Sequence, residues 1–180
     1  MGNGTGSQQD LENVGTLLSE VEPERVEWLW LGRIPKGKVS LIEGDPGTGK
    51  SALTTDLAAR VSAGGELPDG APCEAAGVVL ISAEDGLRDT IRPRLDAAGA
   101  DTSRVVGLAT VPDLEGAERL LGIPADMSII ERGMERVGAG LVVVDPLAAF
   151  LGPGIDAHKD QDVRRALAYL LGRQRPHIRF

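Results

Sequence analysis

Three short apolar runs punctuate the chain, and each ends on a polar or acidic residue. They are Lys38-Val39-Ser40-Leu41-Ile42-Glu43, Val78-Val79-Leu80-Ile81-Ser82 and Leu141-Val142-Val143-Val144-Asp145. Apolar, β-branched runs of this length, bounded by turn residues, predict strands buried on both faces. Helical patterns lie between and after them. Ala52–Val61 follows the first run. Leu87–Ala98 follows the second, with Pro93 interrupting its middle and Gly99 placed to end it. Asp126–Val137 precedes the third, with Met127, Ile130, Met134 and Val137 at helical spacing. Asp160–Leu171, closed by Gly172, predicts a last helix. Arg104–Thr110 predicts another strand, and Glu118–Ile123 a short extended piece returning beside it as a hairpin. Gly64–Gly77 and Pro146–Gly154 read as loops. Trp28-Leu29-Trp30 alternates, so it predicts a short extended segment with both rings on one face. Packing over a sheet edge is the plainer expectation for those rings, and a place near a nucleotide base the sharper one.

Alternating buried strands and helices predict an α/β domain with a mainly parallel sheet flanked by helices. Ligands on such sheets bind at the carboxyl ends of the strands. The expected organisation is a leader over residues 1–25, a core over 26–172 and an irregular tail over 173–180.

Composition narrows the picture only a little. The 180 residues carry a formal charge of −8 and 3% aromatics. That argues against a broad basic face for duplex DNA and against an aromatic base-stacking platform. No run approaches a membrane span, and no apolar signal segment opens the chain, so a cytoplasmic protein with no membrane partner is expected. Cys73 stands alone. It is expected to be an incidental loop residue in a reducing compartment.

The chemistry concentrates at the ends of the three runs. Gly44-Asp45-Pro46-Gly47-Thr48-Gly49-Lys50-Ser51 fits G-x-x-x-x-G-K-[ST], the phosphate-binding P-loop, between a strand pattern and a helix pattern. Gly44, Gly47 and Gly49 are expected to take positive φ and bring backbone N–H groups close to a phosphate. Lys50 is a point charge for the β/γ-phosphates, and Ser51 a hydroxyl for Mg²⁺. Asp145, ending four apolar residues, fits the Walker B carboxylate. Glu84, just past the second run, is a candidate to orient the attacking water. Asp85 is expected to point elsewhere and to cap the helix at Gly86.

EGDPGTGKS, VVLISAEDG and LVVVDPLAAFLG, preceded by WLWLGRIPKGK, together resemble the RepA-like hexameric replicative helicase ATPases. The resemblance spans about residues 26–171. It implies a RecA-like P-loop NTPase fold that binds ATP and Mg²⁺. It also implies Lys50 and Glu84 in catalysis, Ser51 and Asp145 on the metal, and Gly44 to Ser51 around the nucleotide. Such proteins form rings and pass single-stranded DNA through the centre, so a second copy and single-stranded DNA are the implied partners. In that family further strands follow the Walker B helix and carry a polar sensor residue and an arginine finger. Arg173-Gln174-Arg175-Pro176-His177-Ile178-Arg179-Phe180 lacks a strand pattern, so the domain is expected to be incomplete on its C-terminal side. No sensor or finger is assigned to Arg173, Arg175, His177 or Arg179. His158 and Lys159 are expected to lie in a solvated loop. A weakly hydrolysing nucleotide-binding module, or a recombinase-type RecA relative, stands as the alternative.

Overall fold

The strand Gly77–Ser82 (β3) is buried at every position. Its side chains alternate between two cores. Val79 and Ile81 join Ile130, Met134 and Phe150 on one face, while Val78 and Leu80 join Ala58, Val61, Ile91 and Leu95 on the other. A strand with no polar side chain before Ser82 gains from burying both faces, and that forces helices onto both sides of the sheet.

The computed structural model describes residues 15–151. Those residues form a three-layer α/β/α arrangement. A short antiparallel pair, Trp28–Trp30 (β1) with Ile34–Pro35 (β2), precedes the phosphate loop. The helix Lys50–Ala63 (α1) follows that loop. After β3, one π-helical turn over Leu87–Ile91 runs into the helix Arg92–Ala97 (α2). Val105–Leu108 (β4) then pairs in parallel with β3. A hairpin of Thr110–Pro112 (β5) and Glu118–Leu120 (β6) leads to the helix Met127–Val137 (α3). Ala139–Asp145 (β7) pairs in parallel on the other side of β3, giving the order β4-β3-β7. A short helix, Leu147–Phe150 (α4), follows.

The chain therefore leaves β3 towards one sheet edge and returns to the other. Helices α1 and α2 share the core that contains Val78 and Leu80, and α3 lies on the opposite one. The point where parallel connections diverge is where the carboxyl ends of neighbouring strands leave a crevice. Here those ends are Ser82 and Asp145, which are register partners.

Several expectations are corrected. Lys38–Glu43 forms no paired strand among the described residues, and Val39, Leu41 and Ile42 are 39%, 56% and 40% exposed. These residues face β7 across a cleft of about 300 Å³, and no ladder joins the two among the described residues. Pro146–Gly154 is not wholly loop: with Pro146 ahead of its first turn, Leu147–Phe150 is helical and buries Phe150. The interruption that Pro93 predicts within Leu87–Ala98 is present: the π-helical turn ends at Ile91 and Pro93 sits in the first turn of α2, where its missing N–H is tolerated. Arg104–Thr110 divides between β4 and β5. The leader up to residue 14, the helix Asp160–Leu171, His158, Lys159 and the tail 173–180 lie outside the described residues.

One ion pair ties the hairpin to α3. Both terminal nitrogens of the Arg119 guanidinium donate to Asp126, Nη1 to Oδ2 at 2.6 Å and Nη2 to Oδ1 at 2.8 Å, and Gly122 N donates to Oδ2 at 2.7 Å. Asp126 is 8% exposed. The Arg119 guanidinium, helped by the Gly122 amide and opposed by burial, holds the Asp126 carboxyl below the ordinary carboxylate range. Asp126→Ala is expected to destabilise the fold by about 2 kcal/mol, less than for a fully buried pair because Arg119 is half exposed. A carboxylate with a depressed folded pKa stabilises above its unfolded value, and that contribution disappears as pH falls through the folded one. Thermal melts of parent and variant should therefore differ at pH 7 and converge as the pH drops below about 4.

Candidate nucleotide site

The loop Gly44–Gly49 connects an extended segment to the first turn of α1. Gly47 and Gly49 take φ of 79° and 89°, in the left-handed region. Gly44 does not, which corrects the expectation for it. Its constraint is space: a Cβ there would lie 3.1 Å from Thr48 Oγ1. Thr48 Oγ1 in turn donates to Asp45 O at 2.8 Å, which closes the loop on itself. Asp45, Pro46 and Thr48 are exposed along its outer rim.

Gly49 is the N-cap of α1, and no side chain caps this end. Unsatisfied N–H groups at the start of a 14-residue helix, approached through left-handed glycines, form an anion cradle. Lys50 adds charge beside it. Its Nζ donates to Gly44 O at 2.7 Å and Asp45 O at 2.9 Å, so the ammonium is held within the loop rather than extended into solvent.

Ser51, one residue into α1, meets the ends of two strands. A small cavity of about 20 Å³ is lined by Ser51, Thr54, Thr55, Ser82, Asp85 and Asp145, with apolar walls from β3, β7 and Ile91. That is room for about one water-sized group. Thr55 Oγ1 donates to Ser51 O at 2.7 Å and Thr54 Oγ1 to the same oxygen at 3.1 Å, both within the first turns of α1. A larger cleft of about 300 Å³ opens from the same end between residues 38–42 and β7, also reaching Lys50 and Asp145. Its walls are mainly apolar, with Lys50 and Asp145 among its polar residues, and Thr54 and Asp145 line both spaces.

The structure thus brings together Lys50, Ser51 and Asp145. Glu84 lies two residues past β3, is exposed, and is not among the residues lining the small cavity. Asp85 is among them, which overturns the expectation that it points away and caps the following helix. Gly86 takes the cap position there with no side-chain hydrogen bond. The sequence pattern singles out Glu84, but the bend after β3 turns the second carboxylate of the pair rather than the first towards the cavity beside β7.

No group of three or more His, Cys, Asp or Glu side chains suited to a metal ion occurs among the described residues. A magnesium ion that keeps most of its waters and borrows phosphate oxygens needs only a hydroxyl and one or two carboxylates. Ser51 and Asp145 meet that requirement, so the residues fit Mg²⁺ bound together with a nucleotide.

A family model described as an AAA domain (AAA_25) matches residues 7–177. The chain belongs to this family. It is a P-loop domain of the ATPase type, and the parallel sheet flanked by helices agrees with that assignment. A domain of this kind binds nucleotide, usually with Mg²⁺. No curated protein and no solved structure matches the chain. No helix among the described residues is long and apolar enough to cross a membrane.

The loop geometry separates two kinds of glycine. Gly49→Ala forces a side chain into the left-handed region and is expected to cost about 1–2 kcal/mol. Gly44→Ala meets only a side-chain hydroxyl and is expected to cost less. Chemical denaturation of the two variants beside the parent checks the order. Equal losses would mean that the positive φ at Gly49 does not constrain the loop.

Proposed function

We propose that the domain hydrolyses ATP with Mg²⁺ as a RecA-like ATPase of the replicative-helicase type. The observation that carries this reading is the convergence of the α1 N-terminus with the paired carboxyl ends of β3 and β7. The loop amides and Lys50 bind the β- and γ-phosphates. The Ser51 hydroxyl and the Asp145 carboxylate hold the cation or its water. When bound, Mg²⁺ offsets the negative charge on the phosphate oxygens. Glu84 orients the attacking water and accepts its proton. Its exposed position leaves it free to turn towards the phosphates, and an approach by a second copy would take it out of bulk water.

The helicase part of the proposal rests on the three quoted motifs and the spacing between them. It extends to a ring of like subunits and to single-stranded DNA as the polymer on which turnover does work. The position of Glu84 outside the lining of the small cavity favours the second reading, a domain that binds nucleotide and turns it over weakly.

Lys50→Ala is expected to weaken nucleotide binding by about 10- to 100-fold, as loss of a charged hydrogen-bond donor does. Glu84→Gln is expected to keep binding and to lose about 10²- to 10⁴-fold in turnover. Single-turnover hydrolysis of radiolabelled ATP, with and without single-stranded DNA, measures both. DNA-stimulated turnover by the parent would remove the second reading. Parent-like turnover by Glu84→Gln would remove Glu84 from the mechanism.

A further inference from the structure

The residue beside Glu84 occupies the better position. Asp85 is about one-third exposed and lines the water-sized cavity that also contains Ser51, Ser82 and Asp145. Two contacts fix it. Its backbone N donates to Ser82 Oγ at 3.3 Å, and Ser82 is buried and in register with Asp145. Arg94, from the first turn of α2, donates from Nη1 to Asp85 Oδ2 at 2.6 Å. That contact uses one carboxylate oxygen. Oδ1 accepts no hydrogen bond among the described residues.

We propose that Asp85 is a positioning residue of the nucleotide site. Its free oxygen accepts hydrogen bonds from the water around a divalent cation held by Ser51 and Asp145, and Arg94 keeps it aimed there. The inference rests on the nucleotide-site reading above. Two carboxylates beside a space for one water repel each other unless positive charge lies between or behind them. Arg94 supplies that charge from behind Asp85. A hydrated cation would supply it from within. Outer carboxylates of this kind orient coordinated waters, and their loss typically weakens metal affinity 10- to 100-fold.

The test uses the full chain and N-methylanthraniloyl-ATP as a fluorescent probe, titrated with MgCl₂ from an EDTA baseline. The parent should bind the probe more tightly with Mg²⁺ than without it. Asp85→Asn should raise the Mg²⁺ concentration at half-maximal binding about tenfold and leave binding in EDTA unchanged. Arg94→Gln, which leaves the carboxylate in place, should shift the midpoint in the same direction by less, and Arg94→Lys should restore most of it. Midpoints within twofold of the parent for both Asp85→Asn and Arg94→Gln would overturn the proposal. So would a drop in EDTA binding equal to that in Mg²⁺, because it would mark a structural role. A parent without any Mg²⁺-dependence would overturn the nucleotide-site reading itself, and the inference with it.

Discussion

The parallel pairing of β3 with β7 is the interaction on which the rest depends. It runs from Val78 opposite Leu141 to Ser82 opposite Asp145, so the last polar residue of each strand arrives at the same level. Four consecutive apolar pairs hold that register. A slip of one residue would turn Val79 and Ile81 out of the α3 core and carry Asp145 away from Ser82. The hydrophobic effect thus sets the position of the Asp145 carboxylate.

Helix α1 completes the arrangement from the other side. Ala58 and Val61 pack against Val78 and Leu80, which places the start of the helix over the carboxyl ends of the strands. Burial at one end of α1 therefore positions uncapped N–H groups, Lys50 and Ser51 at the other. The division of labour is spatial: apolar residues in strand middles fix distances, and strand ends and glycine turns carry the chemistry.

Much of this was legible in the sequence. The glycine and lysine spacing of the phosphate loop, the buried run before Ser82, and the helical spacing of Met127, Ile130 and Met134 each correspond to one strong local preference; the run before Asp145 forms its strand but is half-buried throughout rather than buried on both faces, because it lines the cleft facing residues 38–42. What was illegible depends on partners. Lys38–Glu43 has the apolar pattern of a strand, but a strand also needs a ladder, and none reaches it among the described residues. The choice between Glu84 and Asp85 turns on a single bend after β3, governed by the Ser82 hydroxyl and by Arg94 nine residues further on. The Arg119–Asp126 pair joins a hairpin to a helix cap, and no short-range pattern announces such a contact.

The central claim is that the phosphate loop, the first turn of α1 and the end of β7 act as one binding site. Hydrogen exchange of the backbone amides, followed by mass spectrometry with and without Mg·ATP, tests it most directly. The account predicts slower exchange at Gly47 to Ser51 and around Asp145 on adding Mg·ATP, with the hairpin of β5 and β6 unchanged. Unaltered exchange at Gly47 to Ser51 at saturating Mg·ATP, or protection confined to segments away from α1 and β7, would contradict it.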